Sequence, residues 1–124
     1  VKVLDVFNFY IYEGEFMSGF YNGQGSLTFS GNSKKYGPYH FIKQTGTFEK
    51  GTFVTGITQY ANAKFEGKAI SGLPTGEGTY TENSGAIYKG IFSDGYLMEG
   101  VIIATDANGN KKETKVVRGQ LIKK

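Results

Sequence analysis

The chain of 124 residues has one histidine, His40, and no cysteine. Disulfides, thiolate metal sites and a cysteine nucleophile are therefore excluded, and a lone imidazole gives a histidine-based metal site no second ligand. Carboxylates recur as Glu13, Glu15, Glu66 and Glu77. They alternate with apolar residues and glycines, which puts them on the polar face of strands, suited to solubility and cross-strand pairing with lysines. A carboxylate pair brought together across a groove would be the route to enzyme chemistry, and nothing near His40 supplies a nucleophile. Gly76-Glu77-Gly78 is not a phosphate loop, since neither Gly-Lys-Ser/Thr nor a helical pattern follows. Asp106-Ala107-Asn108-Gly109-Asn110 offers oxygen ligands but lacks the carboxylate that an EF-hand requires. Its Asn-Gly, between two strand-like runs, predicts a tight hairpin turn. No catalytic residue, metal ligand or cofactor is expected.

Two segments suit binding instead. Lys34, Lys35, Tyr36, Tyr39, His40 and Phe41 surround a Gly-Pro turn, and cations beside rings can anchor a protein, an anionic headgroup or a sugar. The plainer alternative is a long hairpin connection whose rings cover the end of a sheet. Charge is unevenly spread: through Asn110, eight lysines face ten carboxylates, a balance of −2, whereas the remaining residues carry +5. That excess is Lys111, Lys112, Lys115, Arg118, Lys123 and Lys124 against Glu113. Such a cluster is a candidate contact for anionic lipid; equally, it is an edge strand guarded by lysines.

The elements that position these residues repeat. Tyr12-Glu13-Gly14-Glu15-Phe16 leads to Gly23-Gln24-Gly25 and Phe29; Phe65-Glu66-Gly67-Lys68 leads to Gly76-Glu77-Gly78-Thr79-Tyr80; Tyr88-Lys89-Gly90-Ile91-Phe92 leads to Gly100. A weaker copy holds Gly46 and Phe48, with Gln44 in place of the leading aromatic and no paired Gly-x-Gly. The units span about 10–30, 44–61, 64–82 and 86–103, with a partial one at 116–122, where Gly119 is read as the equivalent of Gly90. Insertions occupy 31–42 and 105–114. Period-2 alternation makes each unit a hairpin with one polar face and one aromatic/glycine face, turning at Ser18-Gly19, Ser71-Gly72 and Asp94-Gly95. Glycine within a strand is costly, so its placement opposite large rings implies that it makes room for them. A lone hairpin is marginal in water; these must stack.

Tyr12–Phe29, Phe65–Tyr80 and Tyr88–Gly100 carry the pattern by which the chain resembles the MORN (membrane occupation and recognition nexus) repeat family. The similar segments cover about two thirds of the sequence. The resemblance implies an elongated, twisted antiparallel sheet of consecutive hairpins acting as a non-catalytic scaffold for protein association, with some copies linked to acidic phospholipids.

The expectation is therefore one all-β repeat domain with little or no helix. Its function would be protein–protein interaction, through a Tyr-lined sheet face or the 31–42 insertion, with self-association through the sheet ends. Peripheral binding to an anionic membrane is the first alternative. Glycan binding is the second, disfavoured because the chain has no Trp. Nucleic acid is not an expected partner, because the rings alternate with polar residues as core instead of lining a basic groove. No apolar run reaches the ~18 residues of a spanning helix, and the start at Val1 suggests a part of a longer protein.

Overall fold

The computed structural model describes residues 2–7, 10–29, 41–70 and 73–122, of which Lys2–Phe7 as backbone. These form eleven strands: β1 Lys2–Phe7, β2 Tyr10–Met17, β3 Phe20–Phe29, β4 Lys43–Glu49, β5 Thr52–Gln59, β6 Ala63–Ile70, β7 Leu73–Glu82, β8 Ile87–Ser93, β9 Tyr96–Thr105, β10 Lys111–Val117 and β11 Gln120–Ile122. All belong to one antiparallel sheet whose spatial order is the sequence order. No helix occurs among the described residues. The all-β array of consecutive hairpins expected from the alternation is what the chain forms.

Two-residue turns join strands along one side of the sheet. At Ser18-Gly19, Lys50-Gly51, Asp94-Gly95 and Arg118-Gly119 both residues have positive φ, between 48° and 88°. This is the type I′ pattern, whose twist matches that of the flanking strands and whose second position favours glycine. Three of these glycines also fasten their hairpin to the one before. The N–H of Gly51 donates to the Tyr21 carbonyl (2.9 Å), Gly95 to Pro74 (3.1 Å) and Gly119 to Met98 (2.9 Å). A turn at Asn83–Gly85 lies on the opposite side, closed by Gly85 N–H to the Glu82 carbonyl at 2.9 Å. The connection Asp106–Asn110 is built the same way, as the Asn-Gly pair predicted.

The register explains the glycines. Gly14, Gly25, Gly46, Gly56, Gly67, Gly78, Gly90 and Gly100 oppose one another from strand to strand, a row across β2 to β9. Val3 continues it on one flank and Val116 on the other. Sequence comparison alone missed the membership of Gly56 and Gly100. The row also corrects the reading of Gly119, which is a turn residue and not the equivalent of Gly90; Val116 occupies that place.

Hairpins alternate between two kinds. In β2–β3 and β6–β7 the row glycines are eleven residues apart, and one residue (Glu15 or Lys68) faces three across an irregular stretch. In β4–β5 and β8–β9 they are ten apart, with one extra residue, Val54 or Met98. The unit that lacks Gly-x-Gly is therefore not a decayed copy. It shares its geometry with Tyr88–Gly100, and the structural period is two hairpins.

Only some glycines make room for rings. A Cβ on Gly25 would strike the ring of Tyr12, its Cζ at 2.6 Å, and one on Gly78 would strike Phe65 as well as the Glu66 carbonyl. At Gly90 and Gly100 the obstacle is backbone: each Cβ would fall 2.7 or 2.8 Å from the other's Cα and against the facing carbonyl. Both have φ near +147°, a region that side chains oppose. These pairs permit two backbones to approach.

Rings fill the glycine face in two clusters. Tyr12, Phe48, Phe53 and Ala69 are buried in one, with Phe16, Tyr21 and Leu27 against them; Tyr60, Phe65, Phe92, Leu97 and Val116 form the other. Tyr12 stacks on Tyr21 at 3.9 Å between centroids and meets Phe48 edge-on at 5.2 Å. Phe65 meets Phe92 edge-on at 4.9 Å. Where Gln44 replaces the leading aromatic, it is buried beside Thr58, and its amide donates to the Thr58 hydroxyl at 3.4 Å. The opposite face is less polar than the alternation suggested. Ile57 and Ile91 are exposed there between charged or hydroxylated neighbours, and Ile87 opposes Ile103.

Candidate interaction surfaces

The sheet presents the ring face, the opposite face and the outer strand edges. On the ring face two open grooves remain. The first, about 280 Å³, lies among Tyr10, Tyr21, Leu27 and Phe41. The second, also about 280 Å³, lies among Tyr80, Tyr88, Tyr96, Leu97, Ile102 and Leu121. They sit over the two ring clusters, so the side chains that hold the sheet together also form the groove floors. Leu97 and Phe92 are buried beneath the second groove, while Tyr96 is 65% exposed at its margin.

Of the insertion residues, Lys34, Lys35, Tyr36, Tyr39 and His40 lie outside the described residues. Phe41 is half-buried, packs against the second ring cluster and stands 5.9 Å from the Tyr10 ring. The backbone leaving it is fixed by Phe29 N–H to the Ile42 carbonyl and Ile42 N–H to the Gln59 carbonyl, at 2.8 and 2.7 Å. The insertion thus starts and ends on the sheet beside the first groove.

The basic cluster is not one patch. Lys111 and Lys115 share a face of β10 with Glu113, Lys112 lies on the other face, and Arg118 occupies a turn. All four are exposed, and Lys123 and Lys124 lie outside the described residues. The cations gather along an edge and not on a plane.

Titratable groups on the ring face are few. The Tyr12 hydroxyl donates to the Glu15 carbonyl at 2.9 Å; burial chiefly, and the Glu15 charge next, raise its pKa above the ordinary phenol value. The Tyr88 hydroxyl donates to Glu82 at 3.4 Å, and burial followed by the Glu82 carboxylate raises it likewise. Both phenols remain neutral donors at physiological pH. Glu15 accepts from Gln24 N–H at 2.7 Å, and Lys64 and Glu66 pair loosely at 3.7 Å across exposed surface. The Glu15 contact ties β3 to β2, whereas the Lys64–Glu66 pair lies within β6. Among the described residues no cluster of three or more metal-ligating groups occurs, and no helix is long and apolar enough to cross a membrane.

Compared with known proteins, the chain matches no protein-family model and no curated sequence. The class defined by fold and surface is a single-sheet array of antiparallel hairpins with an aromatic, grooved face.

Proposed function

We propose that the chain is a non-catalytic MORN-type repeat module that binds a protein partner on its aromatic face. The observation carrying this reading is that all eleven strands lie in one sheet, so among the described residues the rings are roofed by one another and by nothing else. Two grooves stay open over them. Exposed aromatic anchors beside desolvated pockets are where protein interfaces concentrate their energy. Anionic membrane binding is favoured less, because the lysines are divided between two faces.

Photo-crosslinking residues at Leu121, which pairs with Val116 on the ring face and lines the second groove, and, as control, at Ile91 on the opposite face test the reading in cells expressing the chain. Crosslinks from the Leu121 position to a defined protein are expected, and purified partner should bind Leu121→Ser about ten-fold more weakly while melting is unchanged. Equal crosslinking from both faces, or flotation of the chain with anionic vesicles but no protein adduct, would overturn it.

A further inference from the structure

Among the described residues, the ring face of β6–β10 carries two charges, Glu82 and Lys112. Glu82 follows Gly78 and Tyr80 on β7, and its carboxylate accepts from the Tyr88 hydroxyl beside the second ring cluster. Lys112 precedes Thr114 and Val116 on β10; Val116 is buried in that cluster, and Lys112 is exposed. Register sets both charges in one row across the strands. Ala63 opposes Glu82, and the Glu82 N–H donates to the Ala86 carbonyl at 2.9 Å. The Ile87↔Ile103 pairing carries the row from Ala86 to Ala104, and Ala104 opposes Lys112. Three strand spacings, about 14 Å, separate Glu82 from Lys112 within one chain, too far for an ion pair. Each is a charge on an apolar face without its opposite in reach.

We propose that two copies of the chain pack ring face on ring face through β7–β10, with Glu82 of each copy over Lys112 of the other. The proposal rests on the ring face being the binding surface, and it names the partner there as a second copy. A two-fold axis parallel to the strands, between β8 and β9, lays β7 on β10 and β8 on β9 of the other copy and keeps every row aligned. Both charges are then neutralised, with the alanines of the row between them. In the next rows Tyr80 meets Thr114, Tyr88 meets Ile102 and Gly78 meets Val116. Large residues face smaller ones, and no like charges meet. An axis along the rows would instead set each charge over its own strand and leave both unpaired.

The dimensions agree. Facing sheets pack about 10 Å apart with strands within about 30° of each other, a gap that a lysine and a glutamate span when they reach toward one another. β7 is 10 residues long. Four such strands occupy about 19 Å by 33 Å, roughly 600 Å² per copy and about 1,200 Å² for the pair, which reaches the range of specific interfaces. A sheet with one apolar face gains a second layer in this way, and the two-fold makes the contact self-complementary and closed.

Sedimentation velocity of the full chain should show a dimer at about 100 μM that dissociates on dilution, as micromolar affinity requires. Glu82→Lys and Lys112→Glu should each weaken it about ten-fold or more, since each sets like charges face to face twice. An equimolar mixture of the two variants should associate about as tightly as the unaltered chain, because every lysine then meets a glutamate. The double variant in one chain should do the same, and Lys89→Glu on the opposite face should change nothing. Lys112 is exposed, so Lys112→Glu leaves the fold intact, and its recovery on mixing separates repulsion from misfolding. A monomer at about 100 μM would overturn the proposal. Leu121 adducts to a different protein would then leave the ring-face reading standing, whereas no adduct at all would take that reading with it. A dimer that both single variants leave intact, with no gain on mixing, would overturn the proposal as well.

Discussion

Glycines of this sheet fall into classes that one set of alanine substitutions separates. Gly109 has φ +83° and open space where a Cβ would go, so Gly109→Ala meets backbone strain alone, about 1–2 kcal/mol. Gly90 has φ +148°, and its Cβ would lie 2.7 Å from Gly100 Cα, 2.9 Å from the Glu99 carbonyl carbon and closer still to its oxygen. Backbone in a paired strand cannot rotate aside as a side chain can. Crowding of ~1–3 kcal/mol therefore adds to strain of similar size, giving roughly 2–6 kcal/mol for Gly90→Ala. Gly25 is a third case: no positive φ, and its three nearest obstacles are all atoms of the Tyr12 phenol, its hydroxyl included. Gly25→Ala should cost about 1–3 kcal/mol, and Tyr12→Leu in the same chain should cost less than it does alone, because the clash is already relieved. Thermal melts read these differences at about 4 °C per kcal/mol for a chain of this size, and a double-mutant cycle reads the Gly25–Tyr12 coupling. Equal melting of Gly90→Ala and Gly109→Ala would refute the facing-backbone argument. Additive effects of Gly25→Ala and Tyr12→Leu would refute the ring argument.

Two further outcomes are expected. Thr58→Val keeps shape but leaves the buried Gln44 amide without its hydroxyl, which should destabilise by about 1–3 kcal/mol, while the double change with Gln44→Leu should recover most of it; urea melts in which the single and double variants are equal would contradict this. Asp106 accepts backbone N–H bonds from Asn110 and Asn108, both at 2.9 Å, which with the Asn110 contact foremost hold its pKa below the ordinary 3.8. The folded chain favours the carboxylate, so this contribution to the β9–β10 turn is present above that value and is lost as pH falls through the lower folded pKa. Amide shifts of Asn108 and Asn110 followed by NMR should titrate below 3.8; a midpoint at or above it would contradict the assignment.

The hairpin array was legible because alternation and Gly-containing turns act locally. Tyr12, Gly14 and Phe16 announce a strand face by spacing alone, and Ser18-Gly19 announces the turn. What sequence comparison could not supply was register between hairpins. Gly56 and Gly100 stand alone in their strands, without the Gly-x-Gly pairing, and become equivalent to Gly25 and Gly78 only when the irregular stretches at Glu15 and Lys68 are seen to absorb one residue. Gly119 misled for the same reason: a turn glycine and a row glycine look alike in one dimension. The basic cluster likewise read as one patch because neighbours in sequence point to opposite faces of a strand.

Strict sequential order has a consequence for synthesis. Every strand pairs with the ones immediately before and after it in the chain, so no segment waits for a distant partner. Such local topology folds fast, and a growing chain can add each hairpin to the finished sheet as it leaves the ribosome, the turn N–H of Gly51, Gly95 or Gly119 latching it to its predecessor. Until the next hairpin arrives, the newest strand is the exposed edge. The protein thus passes through a series of nascent sheets, each with an unpaired strand to offer until the next hairpin covers it.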